Sequence, residues 1–230
     1  MNLADWSSYQ IENSKKIVTK DTFDINDIKY IGGVDISFNK KDPKISCGYL
    51  TVINFNNNKI VYEDHEIIKL DMEYVSGYLG FREVPVYKVL LERLKSTKPE
   101  FYPDIVMVDG FGILHVRGFG SASHLGYELN IPTIGVGKTL ITIDGMDEKL
   151  IKQQFKDKCK NKGESIELFG NSGKLYGYAL KGTKDTTNPI YVSVGHNISL
   201  DTALGVTLRT CQYRIPEPIR NSDIKSKLYF

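Results

Sequence analysis

Several features that would assign this sequence to a special class are absent. Only three cysteines occur in 230 residues, Cys47, Cys159 and Cys211. An odd number without close spacing argues against a disulfide framework and a cysteine-built zinc site, and fits small apolar residues in a reducing compartment. Long apolar runs are also missing: no stretch approaches the roughly 18 residues of a membrane span. The opening Met1-Asn2-Leu3-Ala4-Asp5-Trp6 has neither the basic start nor the apolar centre of a secretory signal. A cytoplasmic protein is expected, with the nucleus or nucleolus as the other compartment. Charge of one sign is lacking too. Thirty Lys and Arg against 28 Asp and Glu leave +2, so any basic surface for a polyanion has to be local. What is present, a 41% hydrophobic share with mean hydropathy −0.27, suits one core. A single domain over 1–230, acting as a monomer, is expected.

Apolar spacing predicts a helix over 3–18, then β-runs at 29–38, 46–55 and 59–70. The link Asn54-Phe55-Asn56-Asn57-Asn58-Lys59 predicts an antiparallel hairpin. Residues 81–96 read as a helix with Pro85 in its first turn, where a missing amide costs least. A strand at 105–108, a glycine-rich loop, a helix at 120–129 and a strand at 133–137 form a βαβ unit with parallel strands. The lysine-rich helix 147–161 reads as a solvated insertion. A strand pair at 174–181 and 189–194, a helix at 199–211 and a short helix within 216–228 carrying Asp223 complete a mixed α/β pattern.

Three carboxylates stand out against that pattern. Asp35 closes the apolar run Tyr30–Ile36, Asp109 follows Ile105-Val106-Met107-Val108, and Glu83 lies near the start of the helix 81–96. An acid at the end of a buried strand is costly unless something pairs with it, and a divalent cation is an economical partner. Carboxylates on separate elements that hold such ions can serve phosphoryl displacement.

The segments Ile31-Gly32-Gly33-Val34-Asp35-Ile36-Ser37-Phe38, Tyr74-Val75-Ser76-Gly77-Tyr78-Leu79-Gly80-Phe81-Arg82-Glu83-Val84-Pro85 and Val108-Asp109-Gly110-Phe111-Gly112-Ile113-Leu114-His115 resemble the endonuclease V family. So do Arg117-Gly118-Phe119-Gly120, Ile134-Gly135-Val136-Gly137-Lys138, Ser193-Val194-Gly195-His196 and Arg214–Arg220, in family order. The resemblance implies a ribonuclease H-like fold, a mixed central β-sheet flanked by helices. It implies hydrolysis one nucleotide 3′ to inosine, leaving 5′-phosphate and 3′-hydroxyl ends, with Mg²⁺ or Mn²⁺ as cofactor. Asp35, Glu83, Asp109 and Asp223 match the family's metal-binding acids, and Lys138 its lysine at the scissile phosphate or nucleophilic water. Asp223, which is histidine in many bacterial members, and Val116, where they tend to carry proline, resemble the animal-type branch. There the expected partner is inosine-containing RNA, with deoxyinosine DNA as the alternative and a non-catalytic inosine-binding module as a more distant one.

Tyr74 matches the family's base-displacing wedge, although Glu73 replaces the usual proline and Asp71 adds negative charge. A packed core tyrosine is the other reading. Gly77 and Leu79 match positions lining the base pocket, while Gly110 and Gly112 fit either ligand approach or turns. Arg117 is assigned to phosphate, with His115 beside it among the nucleic-acid contacts. His115, His124 and His196 lack zinc-like spacing and fit structural or peripheral places equally.

Overall fold

Local hydrogen bonding sets the first element. In the computed structural model, which describes residues 2–70 and 72–230, Asn2 and Asp5 cap α1 (Leu3–Ser14) reciprocally, which satisfies two otherwise orphaned amides. The strands β1 (Tyr30–Phe38), β2 (Ile45–Asn54) and β3 (Ile60–Lys69) follow, with the asparagine-rich link closing the β2–β3 hairpin. Next come α2 (Leu79–Thr97), β4 (Ile105–Asp109), α3 (Ser121–Leu129) and β5 (Thr133–Gly137). The remainder comprises α4 (Glu148–Lys158), β6 (Ser165–Phe169), β7 (Leu175–Leu180), β8 (Ile190–His196), α5 (Leu200–Thr210) and α6 (Glu217–Ser226).

The strands form one sheet in the order β3-β2-β1-β4-β5-β8-β7-β6. β2 is antiparallel to β1 and β3, whereas β1, β4 and β5 run parallel. This is the ribonuclease H-like arrangement expected from the motifs. Alternation along β1 sends Ile31 to the core under α5 and α6, and Val34 and Ile36 to the core under α2 and α3. Asp35 has the parity of Ile31 and therefore faces the α6 side.

Three expectations are corrected. Pro85 is not in the first turn: α2 begins at Leu79 and Pro85 is its seventh residue, so the Phe81 carbonyl lacks its usual helical donor. The earlier start is built by tight-turn bonds from Tyr78 N to Val75 O and from Phe81 N to Tyr78 O. The helix α4 is only half solvated, since Ile151 and Phe155 pack with Leu114, Leu140, Leu168 and Tyr191 in a third core cluster. The strand β6 was missed because it is five residues long, although its Ile166 and Leu168 alternate with Ser165, Glu167 and Phe169.

α6 lies across β1 unusually closely. A Cβ on Gly33 would stand 2.2 Å from the Pro218 carbonyl carbon, so only glycine permits this approach. Ser222 Oγ then donates to the Gly33 carbonyl at 2.9 Å and lies 3.0 Å from Thr51 Oγ1, and Ser37 Oγ meets Ser226 Oγ at 2.6 Å. These bonds fix the helix that carries Asp223.

Candidate active site

Val34 pairs with Val108 across the parallel β1–β4 ladder, so Asp35 and Asp109, one residue on, stand beside each other on one face. Asp223 reaches the same place from α6. Oxygens of the three carboxylates lie within 4.8 Å of one another. Burial drives the Asp35 carboxyl well above the usual carboxylate range, and the charge of Asp109 adds to it. Lys138, the residue after β5, places its ammonium 2.5 Å from Asp109 Oδ2 and 3.5 Å from Asp223 Oδ1. Lys227 pairs with Asp223 at 2.8 Å from the next turn of the chain. Burial raises and these lysines lower the Asp223 carboxyl, with a net downward shift.

Glu83 stands outside that tight group of three but within reach of its charge. It is 5% exposed, its Oε2 has no hydrogen-bond partner among the described residues, and burial followed by the charges of Asp35 and Asp109 pushes its carboxyl well upward. Clustered acids that oppose each other's ionisation, one with an orphaned oxygen, are a set that could hold a cation. All donors are oxygens, which suits a hard divalent cation.

A cavity of about 370 Å³ adjoins the cluster at Asp109. Asp109 and Lys138 line it together with Tyr74, Ser76, Gly77, Leu79, His115 and Ser121. Tyr74 is 65% exposed, which rules out the core reading. Glu73 is exposed beside it; Asp71 lies outside the described residues. Gly110, with φ +155°, and Gly112, whose Cβ would meet the Val194 carbonyl at 1.8 Å, serve the path of the chain over β8.

The pocket loop is held by a network that begins at its carbonyl. Gly77 has φ +81°, and its oxygen accepts from Gln10 Nε2 at 3.1 Å, His115 Nε2 at 3.1 Å and Arg117 Nη2 at 2.6 Å. The Arg117 amide donates to His115 Nδ1 at 3.3 Å, so the bonds assign His115 as the neutral Nε2–H tautomer. Burial and the Arg117 charge lower its pKa to about 4, in keeping with that form. Arg117 also donates Nε to Gln10 Oε1 and lies over the Tyr78 ring at 4.2 Å. The structure thus places Arg117 and His115 as clamps on the pocket loop. His124 bonds Glu128 at 3.0 Å. His196 accepts from the Val18 amide, opposite Thr133 at the far end of the sheet from the acids. Neither adjoins the acid cluster.

Gln10, which holds the pocket loop, is one residue that sequence reasoning missed. It is 1% exposed and also donates to the Phe119 carbonyl at 3.1 Å. A lone glutamine among the mixed residues of an amphipathic helix carries no local signal of a distant partner. Lys227 was missed as well; its spacing four residues after Asp223 was the available signal.

The fold defines a ribonuclease H-like protein with an acid cluster at the ends of its central strands. The comparisons narrow the class. The Endonuclease V family model matches residues 11–224. Mouse endonuclease V is 40% identical over 233 residues, covering 99% of this chain and 69% of the mouse protein. A crystal structure of human ENDOV has a TM-score of 0.93 at 38% identity, covering 99% of this chain and 98% of that one. A Ciona intestinalis endonuclease V in complex with a 23mer DNA containing an inosine followed by a ribo-adenosine has a TM-score of 0.95 at 35% identity, covering 99% and 96%. The chain belongs to the endonuclease V family, a family of nucleases.

Proposed function

We propose that this protein is a Mg²⁺-dependent endonuclease that cuts one nucleotide 3′ to inosine, preferring single-stranded RNA, and leaves 5′-phosphate and 3′-hydroxyl ends. The observation that carries the proposal is the acid cluster, whose Asp109 lines the Tyr74–Lys138 cavity. Asp35, Asp109 and Asp223 would hold the metal, with Glu83 completing its surroundings and Mn²⁺ as a substitute. When bound, the metal supplies a water of lowered pKa and offsets charge on the leaving 3′-oxygen.

The residues of the chain do the rest. Lys138 is positioned to hold the scissile phosphate or the attacking water beside Asp109. The loop carrying Gly77 and Leu79 offers backbone groups to the hypoxanthine edge, and a close pocket rejects the extra 2-amino group of guanine. Tyr74, exposed at the cavity rim, fills the gap that the extruded base leaves. The acid cluster is complete within one chain, which supports action as a monomer. No helix among the described residues is long and apolar enough to cross a membrane. Cys47, Cys159 and Cys211 are buried and unpaired, which supports a cytoplasmic or nuclear setting.

Support for the ribose preference comes from the Ciona intestinalis complex, whose DNA carries a ribo-adenosine after the inosine. The 2′-hydroxyl is the group by which a protein separates RNA from DNA at one position. Cleavage of matched single-stranded RNA and DNA with one inosine, in Mg²⁺ and in chelator, tests the proposal. Faster cutting of RNA, abolished by chelator, is expected. Equal or faster cutting of DNA would replace it with the deoxyinosine-repair reading.

A further inference from the structure

The sheet end that carries the acids also carries a basic groove that the reading above does not use. Gly137 stands opposite Tyr191 in the β5–β8 ladder, and Leu180 opposite Ile190 in the β7–β8 ladder. Lys138 and Lys181 therefore leave the sheet at the same end, their backbones two strands apart, on the order of 10 Å at about 4.8 Å per strand, with Lys138 turned to Asp223 on the α6 face and Lys181 to Phe155 on the α4 face.

Beside Lys181 a groove of about 240 Å³ runs between the last turns of α4 and the loop 181–187. Lys156, Lys160, Lys181 and Lys184 line it with Thr186 and Thr187, against the single acid Asp185 among the described residues. Lys181 is 7% exposed. Its ammonium donates to the Thr186 carbonyl, which leaves donors to spare out of three. Lys160 likewise bonds a backbone carbonyl, that of Lys156. The nearby Glu164 carboxylate is taken up by the amides of Lys160 and Asn161. The ammonium also lies over the Phe155 ring at 5.8 Å, and a phosphate oxygen is a further acceptor that four lysines and two threonine hydroxyls match.

We propose that this groove holds the phosphodiester backbone of the strand being cut, a few nucleotides from the scissile bond. The proposal rests on the nuclease reading for the strand's presence at Lys138, and it adds the direction in which that strand leaves the cleft. It makes a local basic track out of a chain whose net charge is only +2.

The test is binding by the full chain in an Asp109→Ala background, with and without the added changes Lys156→Ala, Lys160→Ala and Lys184→Ala. All three lysines are exposed, while buried Lys181 is left in place to keep the loop packed. Three single-stranded RNA probes are used: one of about 20 nucleotides with a central inosine, its adenosine counterpart, and a trinucleotide of inosine and the two nucleotides flanking the scissile bond. At about 0.7 per neutralised phosphate, loss of three contacts should flatten the log–log salt slope on both long strands by about 2. Affinity for them should fall roughly tenfold near 0.1 M salt, whereas the short strand, which reaches only the cleft, should bind as before. Unchanged affinity and slope on the long strands, or an equal loss on the short one, would overturn the groove. If the unmodified chain fails to cut the inosine strand, the nuclease reading falls, and the adenosine strand still decides the groove.

Discussion

Asp109 shows how one side chain ties the strand ladder to chemistry. It ends β4, neighbours Asp35 and receives the Lys138 ammonium. Asp109→Ala, Asp35→Ala and Glu83→Ala should each abolish cleavage and leave the melting temperature unchanged or slightly higher, because removing one acid relieves repulsion among the rest. Calorimetric melting alongside single-turnover rates checks both halves. Asp223→Ala should be milder, since water can replace a more exposed ligand. His115 provides a pH test at the same scale. Its pKa falls from about 6.5 unfolded to about 4 in the folded chain. The unfolded chain therefore binds the proton first, and the stabilising difference is complete above about pH 6.5 and lost as pH falls toward 4. At pH 5 the loss is about 2 kcal/mol, so His115→Gln, lower in stability at pH 7, should lose less than the parent in urea titrations between pH 7 and 5. An equal loss in both would remove His115 as a source of acid sensitivity. Asp35, Glu83 and Asp109 were legible because each sits within a motif, and Asp223 as a matching position beyond the last of them. The clamping role of His115 was not, because the Gly77 carbonyl is 38 residues away in sequence.

Among the elements, α6 is where fold and site are most tightly joined. Its approach over Gly33 places Asp223 beside Asp35, so Gly33→Ala must push the helix outward from a 2.2 Å contact. Overpacking of this kind costs about 1–3 kcal/mol, and the displaced Asp223 should lower cleavage further than the stability loss alone explains. Denaturant midpoints read against rates at a fully folded temperature separate the two effects. The wedge loop yields a different prediction. Tyr74→Ala should impair cutting of inosine inside structured nucleic acid more than in a flexible strand, by a stacking term of about 1–3 kcal/mol per base. Equal losses on both would remove the wedge role. Strands with strong periodicity, such as β1 and β5, could be read from sequence. The start of α2 could not: Pro85 pointed to a later beginning, and only the tight turns from Val75 to Phe81 carry the helix back from the expected residue 81 to Leu79.

At the scale of the whole molecule, the sheet order gathers residues spread from Gln10 to Ile141 around one cavity and brings Asp223 of α6 to the acids beside it. The alternation of β and α segments showed the sheet's class, but the placement of β8 between β5 and β7 rests on long-range pairing that local pattern does not encode. Mg²⁺ and Mn²⁺ should support turnover, while Ca²⁺ should support binding with little cutting, because its larger and looser shell fails to hold the reacting oxygens in line. Full activity in Ca²⁺ would contradict that geometry. One ribose placed beside the cut in an otherwise DNA strand should recover much of the RNA rate. The most direct measurement is single-turnover cleavage of a single-stranded RNA with one inosine, with the product ends mapped, by the unmodified chain and by Asp109→Ala in Mg²⁺. The account predicts a 5′-phosphate one nucleotide 3′ to the inosine, no cut in the matched guanosine strand, and loss of the cut in the variant. A cut elsewhere, equal cutting of the guanosine strand, or a variant keeping roughly one-tenth of the rate or more, where the metal-held acids should supply several kcal/mol, would contradict it.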